Sequence, residues 1–107
     1  MISAEEFGAL VATYDKHGWQ LRRVVVRDLS DVSAVISKEA EVKKGVIDAA
    51  WFSRPPKTGA NAWEIRFLGP AQYALVEHVD ENSDDFEDRL HQTEERLADA
   101  VAKKTTA

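Results

Sequence analysis

Asp48, Glu64, Arg66, Tyr73 and Glu77 are the residues whose types and alternate spacing could do chemistry together. Strand spacing over Val46 to Arg54, Asn61 to Leu68 and Gln72 to Val79 puts Asp48, Phe52, Glu64, Arg66, Tyr73, Leu75 and Glu77 on one face. A carboxylate beside aromatic surface can have a raised pKa, and an arginine fork can orient an anion. Glu64 would move a proton and Arg66 would hold an anionic group. Phe52, Tyr73 and Leu75 make the same face apolar enough to want a cover, which a second copy or a partner protein would supply.

The other constellations fall short of a motif. Asp80-x-Asn82-x-Asp84 reproduces the first three ligand positions of a calcium loop, but Asp85 stands where glycine is needed and His91 where a bidentate glutamate is needed. The block from Glu77 to Asp88 holds seven acids and no Lys or Arg, and reads as the negatively charged start of a helix, with weak cation binding left open. Asp88-x-x-His91 has a di-metal spacing, yet no second copy of it exists, so no metal or other cofactor is expected. Ser53 has no nucleophile elbow around it, and the five glycines form no phosphate loop. With no cysteine, thiolate catalysis, disulfides and Cys-ligated metals are excluded.

The formal charge is −5, and setting aside the seven acids of the block leaves the remainder at +2. Acidity is therefore local, and only that region clearly repels polyanions. No apolar run reaches the ~20 residues of a membrane span. The N-terminal residues lack the basic-then-apolar pattern of a signal peptide, so a cytoplasmic protein without a membrane partner is expected.

The elements that must carry these residues follow from periodicity. Ser3 with Glu6 forms a capping box, and Phe7, Leu10, Val11 and Tyr14 make one face of a helix over 3–16 that Gly18 ends. Trp19 to Val26 reads as a strand, and Asp28 caps a short helix with Leu29, Val32, Val35 and Ile36 on one face. The state of Ser37 to Gly45 is open. The three-strand meander follows, with joints at Pro55-Pro56-Lys57-Thr58-Gly59 and Gly69-Pro70. The last helix starts near Asn82 or Ser83 and runs to about Lys104, with Phe86, Leu90, Thr93, Leu97 and Ala100 as its stripe.

The expected fold class is α+β, in element order α-β-α-β-β-β-α. A four-stranded, mostly antiparallel sheet carries its helices on one face, in two layers. Residues 1–104 make a single domain and 105–107 a frayed tail. Ile47, Ala49, Trp51, Trp63, Ile65, Phe67, Ala74 and Val76 meet the helices. A two-residue turn at Gly69-Pro70 sets Arg66 opposite Tyr73 and Glu64 opposite Leu75. Pairing Trp51 with Trp63 sets Asp48 opposite Arg66.

Helix, three-strand meander, helix resembles the double-stranded-RNA-binding domain in element order. That family grips phosphates with lysines at the start of its last helix, where this chain has Ser83-Asp84-Asp85-Phe86-Glu87-Asp88. Nucleic acid is therefore not expected as a partner. The function expected is a non-catalytic protein-interaction module that forms a homodimer, by the second sheet face or the last helix. Phe52→Glu or Tyr73→Glu should then change its mass or its partner binding without unfolding it. The alternative is a small-molecule binder or small acid–base enzyme built on Glu64 and Arg66.

Overall fold

The structure is a computed structural model, and it describes residues 4–28, 40–54, 61–69 and 72–106. The order is α1 (Ala4–Lys16), β1 (Gln20–Val26), β2 (Glu41–Lys44), β3 (Ala49–Arg54), β4 (Asn61–Phe67), β5 (Ala74–Val79) and α2 (Phe86–Thr106). Ser3 and the helix expected after Asp28 lie outside the described residues. Both helices carry acids in the first turn and lysine in the last, as the helix dipole favours.

Among the described residues the sheet has five strands in the order β2-β1-β3-β4-β5. This corrects the expected four. The extra strand, β2, falls in the polar stretch whose state was open. It pairs parallel with β1, Val24 beside Val42, so the sheet is mixed. The pairs β1–β3, β3–β4 and β4–β5 are antiparallel. Polar edge strands carry little hydrophobic signal, which is why β2 was not legible.

The second correction is the number of layers: among the described residues, α1 covers one face of the sheet and α2 the other. Val25, Ile47, Ala49, Trp51, Trp63, Ile65 and Val79 pack under Leu90 and Leu97 of α2. Val24, Val26, Ala50, Phe52 and Leu68 pack under Phe7 and Tyr14 of α1. Trp51 and Phe52 are sequence neighbours on opposite faces, and both are fully buried. An unbroken apolar run such as Ala49-Ala50-Trp51-Phe52 is what a strand covered on both sides requires.

Register supplies the third correction. Phe67 N–H donates to the Tyr73 carbonyl at 2.9 Å, so five residues, not two, separate the paired positions. Arg66 therefore sits opposite Ala74, and Glu64 opposite Val76. A slip of one residue turns every side chain of β5 to the other face. Trp51 pairs with Ile65, and Leu68, not Arg66, donates its N–H to the Asp48 carbonyl. That error is even-numbered and leaves the β3 and β4 faces as expected.

One irregularity in β1 matters for charge. Leu21 pairs with Phe52 and Arg23 with Trp51, so Arg22 is an extra, bulged residue. Leu21 packs with the α1 layer, whereas Arg22 and Arg23 both reach groups of the α2 layer. At the end of β2, Gly45 donates to the Val26 carbonyl at 2.9 Å. A Cβ there would stand 2.3 Å from Val25 Cγ1, so the close approach requires glycine.

Candidate functional site

Tyr14 is the centre of the polar cluster on the α1 face. Gly18 has φ of 84°, the left-handed region that glycine adopts freely. Trp19 N–H reaches the Tyr14 carbonyl at 2.9 Å and Gly18 N–H the Asp15 carbonyl at 3.0 Å, closing α1 with a Schellman turn. The reversal folds Trp19 edge-on against Tyr14, ring centroids 6.3 Å apart. Tyr14 lies flat on Phe52, centroids 3.9 Å apart. The Arg54 guanidinium covers Trp19 at 5.0 Å.

Held this way, the Tyr14 hydroxyl donates to Glu64 Oε2. Burial, and then the hydrogen bond to Glu64 and its negative charge, push the Tyr14 pKa up to about 12, with Arg66 acting in the opposite direction. At neutral pH the phenol keeps its proton and shares it in this hydrogen bond. Beside them Thr13, Tyr14, His17, Trp19 and Glu64 line a cleft of about 200 Å³.

The seven residues expected to share a face are divided by the sheet. Phe52, Glu64 and Arg66 lie together on the α1 face, with Ala50 opposite Arg66 and Phe52 opposite Glu64. Asp48 lies at the sheet's end, where it accepts the Arg27 backbone N–H at 2.9 Å. Tyr73, Leu75 and Glu77 are under α2 instead. There Glu77 takes Arg89 at 2.9 Å and the Thr93 hydroxyl at 3.3 Å. Lys104 Nζ stands 5.7 Å from the Tyr73 ring centroid. Phe52 is sealed under Tyr14, so a charge there would break the core rather than probe a surface.

The acidic block is tied to the basic spot of β1. Arg22 meets Glu81 at 3.1 Å and the Ser53 hydroxyl at 3.0 Å, and lies over Trp63 at 5.0 Å. Arg23 meets Glu87 at 2.8 Å and Glu41 at 3.2 Å. Burial pulls the Arg23 pKa down, but the hydrogen bond and charge of Glu87, with Glu41, outweigh it and leave it raised. The same hydrogen bond holds the Glu87 carboxyl below its ordinary value against a smaller effect of burial. Asp80 Oδ1 accepts the Asn82 N–H at 2.9 Å, and the Ser83 hydroxyl donates to Asp85. The first two would-be calcium positions thus form a local turn.

Tyr14 was legible only as an apolar helix position. The signal that it needs a polar partner was its hydroxyl, since a buried phenol seeks an acceptor. Among the described residues no group of three or more His, Asp or Glu is placed to hold a metal. Among them, too, no helix is long and apolar enough to cross a membrane. The fold and the site define a small α+β domain with a mixed sheet between α1 and α2. No protein-family model, curated protein or solved structure matches the chain.

Proposed function

We propose that this protein is a non-catalytic interaction domain that works as a homodimer, joined through the β5 edge of its sheet. The contrast between the two sheet edges is the observation that carries this reading. The β2 edge is four residues long and exposes Glu41, Lys43 and Lys44. Short length and lysine are devices that stop an edge from pairing. The β5 edge is six residues long, has no Lys, Arg or Pro, and exposes Ala74, Val76 and His78. Val76 is 48% exposed, and among the described residues Val46 is the other large apolar side chain so exposed. Of the two surfaces expected to join a homodimer, the second sheet face carries α1, and the α2 stripe is occupied, with Leu90, Thr93 and Leu97 buried on the sheet.

Native mass spectrometry and sedimentation over about 1 to 100 µM test this. A dimer mass that grows with concentration is expected, and Val76→Lys should be folded and at least about tenfold weaker in association. A wild-type chain that stays monomeric across that range overturns the reading.

A second reading rests on the cleft beside Tyr14. A small polar ligand would replace the Tyr14 hydroxyl on Glu64, with Arg66 holding an anionic group and His17 at the rim. The cleft is below the ~300 Å³ at which drug-sized sites begin, so the ligand would be small. A reproducible small-molecule adduct on a monomer in the same mass spectra, lost in Glu64→Gln, would support it over the first.

A further inference from the structure

The pairing of β5 with β4 determines which backbone groups of β5 are free. Phe67 N–H donates to the Tyr73 carbonyl, so Tyr73 and Phe67 are a hydrogen-bonded pair. Such pairs alternate along an antiparallel ladder. Leu75, Glu77 and Val79 therefore turn their N–H and C=O toward Ile65, Trp63 and Asn61. The β3–β4 ladder agrees, because Leu68 donates to Asp48 and so the even-numbered positions of β4 serve β3. Ala74, Val76 and His78 turn their N–H and C=O away from the sheet, and these are also its exposed side chains. Among the described residues no strand lies beyond β5.

We infer that two copies pair antiparallel about a two-fold axis at Val76, so that Val76 faces Val76 of the second copy and Ala74 faces its His78. This rests on the homodimer proposed above and deepens it to a register. Two-fold symmetry requires residue i opposite j and j opposite i. Outward groups can pair only with outward groups, which leaves axes at Leu75, Val76, Glu77 or His78 as those that overlap three or more residues of β5, and an axis at His78 overlaps only Glu77 to Val79, where β5 ends. An axis at Leu75 overlaps only Ala74 to Val76, because β5 begins at Ala74. An axis at Glu77 sets two carboxylates directly opposite each other, which is destabilising. The Val76 axis overlaps Ala74 to His78 and faces no charge with its like. It sets Glu77 opposite Leu75 of the second copy, and Glu77 already holds Arg89 at 2.9 Å. Three pairs each exchange two backbone hydrogen bonds. So short a ladder belongs with the small, reversible interfaces of under about 1,200 Å².

The chain has no cysteine, so single cysteines report the register cleanly. Cα atoms of a hydrogen-bonded pair stand about 5.5 Å apart, within reach of a disulfide. Under mild oxidation Val76→Cys should give a covalent dimer, and Leu75→Cys should not. A mixture of Ala74→Cys and His78→Cys should give the mixed dimer, while each alone stays uncoupled. A wild-type dimer in which Leu75→Cys couples and Val76→Cys does not overturns this register and leaves the homodimer standing. A wild-type chain that is monomeric at all concentrations overturns both, whether or not another protein's strand binds the edge.

Discussion

Replacing Tyr73 by Phe leaves Tyr14 as the sole phenol of the chain, and its ionisation can then be followed by phenolate absorbance. The titration midpoint should lie near 12, against an ordinary 10.0, because the phenol is buried and donates to Glu64. Between those two values the unfolded chain has lost the proton and the folded chain keeps it. Stability therefore contains the full contribution of Tyr14 below about pH 10 and loses it as pH rises toward about 12. At about 1.36 kcal/mol for each unit, the ceiling on that loss is about 2.7 kcal/mol, and water in the adjoining cleft reduces it. Tyr14→Phe keeps the stack on Phe52 and removes only the hydroxyl. It should cost about 1–3 kcal/mol at neutral pH, the usual cost of taking a donor from a charged acceptor. In urea titrations the gap between wild type and Tyr14→Phe should be constant below about pH 10 and close above it. A phenolate midpoint at the ordinary value, or a neutral-pH stability unchanged by Tyr14→Phe, would refute the assignment of Tyr14 as the anchor of Glu64.

Three further outcomes follow from contacts elsewhere. Trp51→Phe removes the indole N–H that meets Glu94 Oε2 at 2.9 Å in the core. It should cost about 1–3 kcal/mol beyond the lost ring area, and a thermodynamic cycle with Glu94→Leu should show coupling. Gly45→Ala drives a methyl into Val25 and should lower stability by about 1–3 kcal/mol in chemical denaturation; an unchanged midpoint would show that the β1–β2 approach is looser than described. Glu87 is held below its ordinary pKa by Arg23, so its contribution is present above the ordinary glutamate range and is lost as pH falls through the lowered value. Because Glu87 is largely exposed, Glu87→Gln should flatten the acid limb of the stability curve by no more than about 1 kcal/mol; identical acid limbs would count against the pair.

Most of the framework could be read from residue spacing. α1, β1, the three meander strands and α2 all appear close to where periodicity, the Gly18 stop and the Pro/Gly joints place them, although β3, β5 and α2 begin at Ala49, Ala74 and Phe86, two to four residues later than expected. Two features escaped for physical reasons. β2 is four residues, mostly charged, at an edge, and carries no apolar alternation to detect. The two-sided cover of the sheet was written in the Ala49 to Phe52 run, but the neighbouring Asp48 made it look one-sided. The site was half legible: Glu64 and Arg66 lie where alternation puts them, beside Phe52, while their partner Tyr14 comes from a helix fifty residues away. Sequence spacing within a sheet cannot register such a contact.

The β4–β5 connection shows how much depends on a single count. With Gly69-Pro70 as a two-residue turn, Tyr73, Leu75 and Glu77 join Glu64 and Arg66, and Ala74 and Val76 enter the core. With Tyr73 paired to Phe67, Leu75 and Tyr73 pack under α2, and Glu77 takes Arg89 there. The same shift carries Val76 out of the core to the open edge, with Ala74 and His78 beside it. One residue of loop therefore exchanges a polar sheet face for a self-complementary strand edge. That exchange is why the contact proposed for the homodimer centres on Ala74 and Val76, which alternation assigned to the interior.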